Sequence, residues 1–300
     1  MSRAKIRVGM IGLGSMGRPL AGRLLQSGFE VVAFDVDAPA VAELVQRGAL
    51  PGSSPMDVAS RTEIVLACLP SPEVSERVAL GADGIVQGTC VRQYVEMSTI
   101  GVDSMQRIES ALAKRSIALL DAPVSGGRIG AANGRLTCFV AGPRAHFDTA
   151  SPALRGLCDR LFHIGERPGQ AQVLKLANNM LNAANLCLAV EMILMARKAG
   201  IDEATAVEVI NVSTGRSRAT EETFKTQILT GAFDTGGKLA IAHKDVVLAV
   251  EQARKLGVEH SVAHAACGLW QAAAEAGHGG EDLSRIYQFV AALNDRDSGP

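Results

Sequence analysis

The sequence predicts an α/β fold in two parts: a doubly wound parallel sheet, then an all-α C-terminal domain joined to it by a long helix. Three observations support this. Short apolar runs alternate with helix-length amphipathic segments through the first half of the chain. A glycine fingerprint, Gly12-Leu13-Gly14-Ser15-Met16-Gly17, stands between the first such run and the first helix. After about residue 165 helical periodicity alone continues, so the expected domains are 1–165 and 166–300.

In chain order, Ile6–Ile11 reads as a strand, Met16–Gln26 as a helix ended at Gly28, and Glu30–Asp35 as the second strand. The runs Ile64–Leu69, Tyr94–Met97 and Ile117–Leu120 continue the alternation, with loops marked by Pro51–Pro55 and Pro70–Pro72. Strands separated by helices imply parallel crossovers. Gln170–Lys198 reads as one helix, apolar around most of its circumference and so expected to be buried on nearly all sides. Asn182, Asn185 and Glu191 interrupt its apolar run and argue against a membrane span. Further helices are expected at roughly 202–212, 218–230, 238–256, 259–276 and 281–293.

Composition narrows the class. A chain of 300 residues, 47% hydrophobic, buries enough core for two domains and is not disordered. A net charge of -1 with scattered Lys and Arg offers no footprint for nucleic acid or an anionic membrane. The six cysteines lie far apart in sequence, so neither a zinc site nor a disulfide framework is expected, and a reducing cytoplasm suits them. His260 and His264 are four residues apart without an evident third ligand, so no metal is expected.

The fingerprint has the placement that dinucleotide binding demands, giving the sheet a Rossmann-like reading. Gly12 permits a tight turn, Gly14 lets a diphosphate approach the backbone, and Gly17 allows close helix–strand packing. The amides at the helix start then hold phosphate. Asp35, 23 residues after Gly12, ends the next strand, where it can accept from ribose hydroxyls and repel a 2′-phosphate. No arginine occupies Val36, Asp37 or Ala38, so NAD is favoured over NADP.

Two more segments carry chemistry. Asp121-Ala122-Pro123-Val124-Ser125-Gly126-Gly127 follows a strand-like run, at the carboxyl end where α/β sheets bind ligands. Its Ser125 hydroxyl and the Gly126 and Gly127 amides suit a small carboxylate, although a plain turn accounts for the same residues. In Lys175-Leu176-Ala177-Asn178-Asn179 a lysine sits among apolar neighbours, one turn into the long helix, with Asn179 on the same face. Desolvation and an oxidised nicotinamide nearby would both lower its pKa, fitting it to act as a base.

These segments closely resemble the β-hydroxyacid dehydrogenase family over nearly the whole chain. The resemblance rests on Gly12–Gly17, Asp121–Gly127 with Gly130 and Gly134, Gly169–Asn179, and Lys244-Asp245. It implies that Ser125, Gly126 and Gly127 hold the substrate carboxylate, that Lys175 is the catalytic lysine, and that Asn179 binds substrate. It also implies that Leu69-Pro70, Ser98-Thr99 and Lys244 face the cofactor. The expected reaction is NAD-dependent oxidation of a small, 3-hydroxyisobutyrate-like 3-hydroxy acid, by a homodimer or homotetramer. A tartronate semialdehyde or other short semialdehyde reductase is the near alternative. An imine reductase normally lacks this lysine, and a non-catalytic NAD-binding regulator would be expected to lose the lysine or the carboxylate loop. One departure is Ala171, where the family usually has glycine.

Overall fold

The computed structural model describes residues 6–296. The chain divides into two compact units that meet at Lys175/Leu176, so the start of the long helix belongs with the first unit.

In the first unit, among the described residues, nine strands form one sheet: β1 (Arg7–Ile11), β2 (Glu30–Phe34), β3 (Leu50–Pro51), β4 (Ile64–Ala67), β5 (Gln93–Glu96), β6 (Ala118–Asp121), β7 (Val124–Ser125), β8 (Leu136–Ala141) and β9 (Cys158–Gly165). The order β3-β2-β1-β4-β5-β6 is parallel throughout. The helices of this unit are α1 (Gly17–Gln26), α2 (Ala38–Gln46), α3 (Pro55–Arg61), α4 (Pro72–Leu80), α5 (Gly101–Ala113), α6 (Gly127–Asn133) and α7 (Arg144–Leu157). Local chemistry sets several of their starts. Ser54 and Ser71 accept from the Asp57 and Val74 amides, each just ahead of a proline that pre-sets the first helical residue. Separate apolar clusters, one around Leu20, Leu24 and Leu154, the other around Val58, Ile85 and Ile108, show that both faces of the sheet are covered.

The far edge departs from the all-parallel expectation. β8 runs antiparallel to β6 and β7, and β9 lies parallel to β8. Between Ser125 and Leu136 the chain has room only for the short α6, which ends at a left-handed Gly134, and parallel crossovers need a dozen or more residues. The chain therefore turns back on itself.

The long helix α8 spans Gln170–Lys198. By length and composition it could cross a bilayer, because the asparagines and Glu191 leave its best window at a mean hydropathy of 1.4. Its Cys187, Val190 and Ile193 side chains instead belong to the apolar core of the second unit. Burial on nearly all sides does not hold: Leu181, Leu188 and Met195 are 63%, 56% and 60% exposed. The helix carries more apolar surface than its own chain covers.

The second unit continues with α9 (Glu203–Asn211), a π-helical segment over Ala219–Ile228, α10 (Leu239–Lys255), α11 (Ser261–Glu275) and α12 (Ile286–Arg296). Its core gathers around Trp270, Phe224 and Leu239. Ser213-Thr214-Gly215-Arg216 forms an exposed turn before the π-helical segment.

Candidate active site

The fingerprint loop leaves β1 at Ile11 and enters α1 at Gly17. Gly12 has φ +85°, and a Cβ on Gly17 would lie 1.7 Å from the Gly12 carbonyl oxygen, so both positions demand glycine. A Cβ on Gly14 would meet no atom within 4 Å, so the outer side of the loop is open. An open loop of backbone amides at a helix start fits a diphosphate. Asp35 stands at the end of β2 with one carboxylate oxygen accepting from the Leu13 amide and the other from the Asp37 amide. It thus ties the fingerprint loop to the second strand. No arginine lies at Val36–Ala38, but Arg18 comes close from α1: its guanidinium lies 3.9 Å from Asp37 and is held at 2.9 Å by Glu43.

At the carboxyl ends of the middle strands a buried polar network joins segments that are distant in sequence. The Ser98 hydroxyl accepts from the Leu69 amide at 2.7 Å, bringing Ser98 beside the Leu69-Pro70 loop. The Ser98 amide donates to Glu96, which also accepts from the Tyr94 hydroxyl. Burial pushes the Glu96 carboxyl above its usual range, against the hydrogen bonds from Ser98 and Tyr94 that pull it down. Asp121 closes β6 with one oxygen accepting from the Gly169 and Gln172 amides and the other from the Gln172 side chain. Its burial raises the carboxyl to about 7 despite those donors. The Gln172 oxygen accepts from the Ile100 and Gly101 amides, while its nitrogen also donates to the Ser98 carbonyl. The role of Gln172 is invisible in the sequence, because hydrogen bonds between residues 51 or 74 apart leave no local pattern.

Lys175 follows Gln172 by one turn of α8 and is only 8% exposed. Ala171, which replaces the family's glycine, is fully buried in the same turn. Ser125 ends β7 half-buried, and the exposed Gly126 and Gly127 follow with φ of +135° and +66°. That left-handed backbone is the physical reason for the glycine pair.

In the second unit, the Asn179 amide nitrogen donates to Asp245 at 2.6 Å and its oxygen accepts from Asn178 at 3.1 Å. The other Asp245 oxygen pairs with the Lys244 ammonium at 2.8 Å. One buried carboxylate therefore orients two expected site residues, a role the sequence did not reveal. Among the described residues no cluster of three His, Cys, Asp or Glu side chains is placed to hold a metal.

Comparison with known proteins identifies the family. Residues 7–165 match the family model of the NAD binding domain of 6-phosphogluconate dehydrogenase. Residues 169–290 match that described as NAD-binding of NADP-dependent 3-hydroxyisobutyrate dehydrogenase. A 2-(hydroxymethyl)glutarate dehydrogenase from Eubacterium barkeri is 33% identical, covering 94% of this chain and 93% of its own. A 3-hydroxyisobutyrate dehydrogenase from Pseudomonas aeruginosa is 32% identical, covering 94% and 97%. The crystal structure of a 3-hydroxyisobutyrate dehydrogenase from Salmonella typhimurium superposes with a TM-score of 0.85 at 27% identity, covering 95% of this chain and 100% of that one. Likeness of this extent places the chain among the NAD(P)-dependent hydroxyacid dehydrogenases. Within that class it belongs to the β-hydroxyacid dehydrogenase family.

Proposed function

We propose that this enzyme reversibly oxidises a small 3-hydroxy carboxylate of the 3-hydroxyisobutyrate type, with NAD as the favoured coenzyme. The observation that carries the reading is a lysine with 8% exposure, one helical turn past a polar network at the carboxyl ends of β5 and β6. A lysine is rarely buried to that degree without a partner or a task. The coenzyme, when bound, accepts the hydride from the substrate carbon. Lys175 takes the hydroxyl proton during oxidation and returns it during reduction. Ser125 and the Gly126 and Gly127 amides hold the substrate carboxylate, and Asn179 orients the substrate through the free hydrogen of its amide. Gly12 to Gly17 receive the diphosphate, Asp35 the ribose hydroxyls, and Leu69-Pro70, Ser98-Thr99 and Lys244 flank the coenzyme. Asp35 supports NAD because its negative charge opposes a 2′-phosphate, and Glu43 already engages the nearby Arg18.

The exposed Leu181, Leu188 and Met195 recur every seven residues, which supports association of α8 with a second copy of the chain. A homodimer or homotetramer in the cytoplasm, where its free thiols stay reduced, follows from this reading, and sedimentation velocity tests the assembly.

The test of function is to incubate the protein with NAD or NADP and a panel of 3-hydroxy acids, varied at C2, while following reduced-coenzyme absorbance. Turnover of at least one member with a preference for NAD is expected. Inactivity with every 3-hydroxy acid, in both directions, overturns the proposed substrate class.

A further inference from the structure

We infer that Gln172, clamped by Asp121, is the positioning residue that sets where the Lys175 amine stands. The inference rests on the proposed role of Lys175 and adds what holds that lysine in place.

The hydrogen-bond inventory of one side chain carries the argument. A glutamine amide offers two N–H donors and an oxygen with two lone pairs. Gln172 uses all four: its oxygen accepts from the Ile100 amide at 2.8 Å and the Gly101 amide at 3.0 Å, and its nitrogen donates to the Ser98 carbonyl at 3.0 Å and to Asp121 at 2.8 Å. No flipped orientation satisfies these partners, because rotation would set the NH2 group against two backbone N–H groups. Gln172 is fully buried, so any lost partner would go without water as a substitute. Asp121, also fully buried, accepts from the Gly169 and Gln172 amides at 2.9 Å each, so a carboxylate caps the first turn of α8.

The partners are not arbitrary. Ser98 is the residue whose hydroxyl receives the Leu69 amide, and Ile100-Gly101 opens α5 directly after Ser98-Thr99. Asp121 begins the segment leading to Ser125-Gly126-Gly127. A single amide thus joins the first turn of α8 to both strand ends that carry the expected coenzyme and substrate loops. Lys175 lies three residues after Gln172, on the same helix face, so the clamp fixes its height and azimuth above those strand ends. A fully satisfied buried polar network specifies one geometry. Displacement of a reacting group by about 1 Å can cost on the order of 100-fold in rate, which gives such specification its purpose.

The test reads the amine itself rather than turnover alone. Gln172→Glu keeps the shape and the acceptor toward Ile100 and Gly101, but above neutral pH it sets a carboxylate against Asp121. At lower pH the protonated form again has one hydrogen to donate, enough for Asp121 but not also for the Ser98 carbonyl, so the clamp is restored in part. Competitive acetylation with trace acetic anhydride, quantified by mass spectrometry, gives the Lys175 labelling rate relative to exposed Lys114 as a function of pH. In Gln172→Glu at pH 8 this ratio should rise at least about tenfold over the unaltered protein, and it should return toward it as pH falls to 5. The same ratio at every pH, in a variant with native circular dichroism, overturns the inference.

If Gln172→Glu does not fold, hydrogen exchange on the unaltered protein decides. The Ile100, Gly101 and Gly169 amides should exchange as slowly as those of Tyr94 and Val95 within β5, and rapid exchange at Ile100 and Gly101 overturns the clamp. A labelling shift in a protein that oxidises no 3-hydroxy acid supports the clamp while rejecting the substrate reading, so the two fail separately.

Discussion

Replacing Asp245 by asparagine should disable two site residues together. The carboxylate accepts from Asn179 at 2.6 Å and pairs with Lys244 at 2.8 Å, in side chains only 9% (Asp245) and 21% (Lys244) exposed. An asparagine amide has one accepting end. If its oxygen faces Lys244, its NH2 meets the Asn179 NH2, and Asn179 must flip, breaking the bond it accepts from Asn178. If the oxygen faces Asn179, the NH2 confronts an ammonium. Either way one charge-assisted hydrogen bond is lost, at about 1.5–3 kcal/mol. The ion pair adds no more than ~1 kcal/mol because water reaches the Lys244 amine. Denaturant unfolding should therefore show Asp245→Asn less stable by roughly 2–3 kcal/mol. With a substrate from the panel, kcat/KM should fall about 10- to 100-fold, since ~1.4 kcal/mol corresponds to tenfold. Unchanged stability and unchanged kcat/KM would refute the reasoning that this carboxylate orients Asn179.

Two further outcomes follow from the first unit. Asp35→Ser removes the charge that opposes a 2′-phosphate and leaves Arg18 nearby, so the NAD-over-NADP ratio of kcat/KM should drop at least ~10-fold; an unchanged ratio argues against the role given to Asp35. Asp121 gives a pH signature: its folded pKa, about 7, lies above the ordinary 3.8, so its contribution to stability is full below about pH 4 and is lost as pH rises through 7. One proton contributes at most ~1.4 kcal/mol per pH unit, so the unfolding free energy should decline between pH 5 and 7.5, with a flatter slope in Asp121→Asn. Equal slopes would exclude a raised carboxyl at this position.

The parts legible in the sequence are those in which one residue answers one steric demand. Gly12 and Gly17 are required by a positive φ and by a carbonyl contact, and both requirements lie within a single strand–turn–helix. Lys175 stood out because an ammonium among apolar neighbours contradicts its surroundings. What escaped depends on distant partners. β8 turns back against β6 and β7 at a connection too short for a crossover, a reversal that no local pattern marks. Asp121 was visible in a motif, yet its function depends on Gln172, 51 residues away. Arg18 reaches Asp37 from α1, far from it in sequence, so no local pattern marks it. The exposed stripe on α8 reads as core in the sequence because periodicity marks an apolar face without saying which molecule covers it.

The central claim, that Lys175 trades a proton with the substrate alcohol, is tested most directly by chemical rescue. Lys175→Ala should lose about 10²–10⁴-fold in the rate of hydride transfer at saturating NAD, while NADH fluorescence titration shows the coenzyme still bound. Added ethylamine should restore part of that rate, in proportion to its free-base concentration. A Lys175→Ala enzyme that folds, binds NADH and transfers hydride near the original rate without added amine would contradict the account.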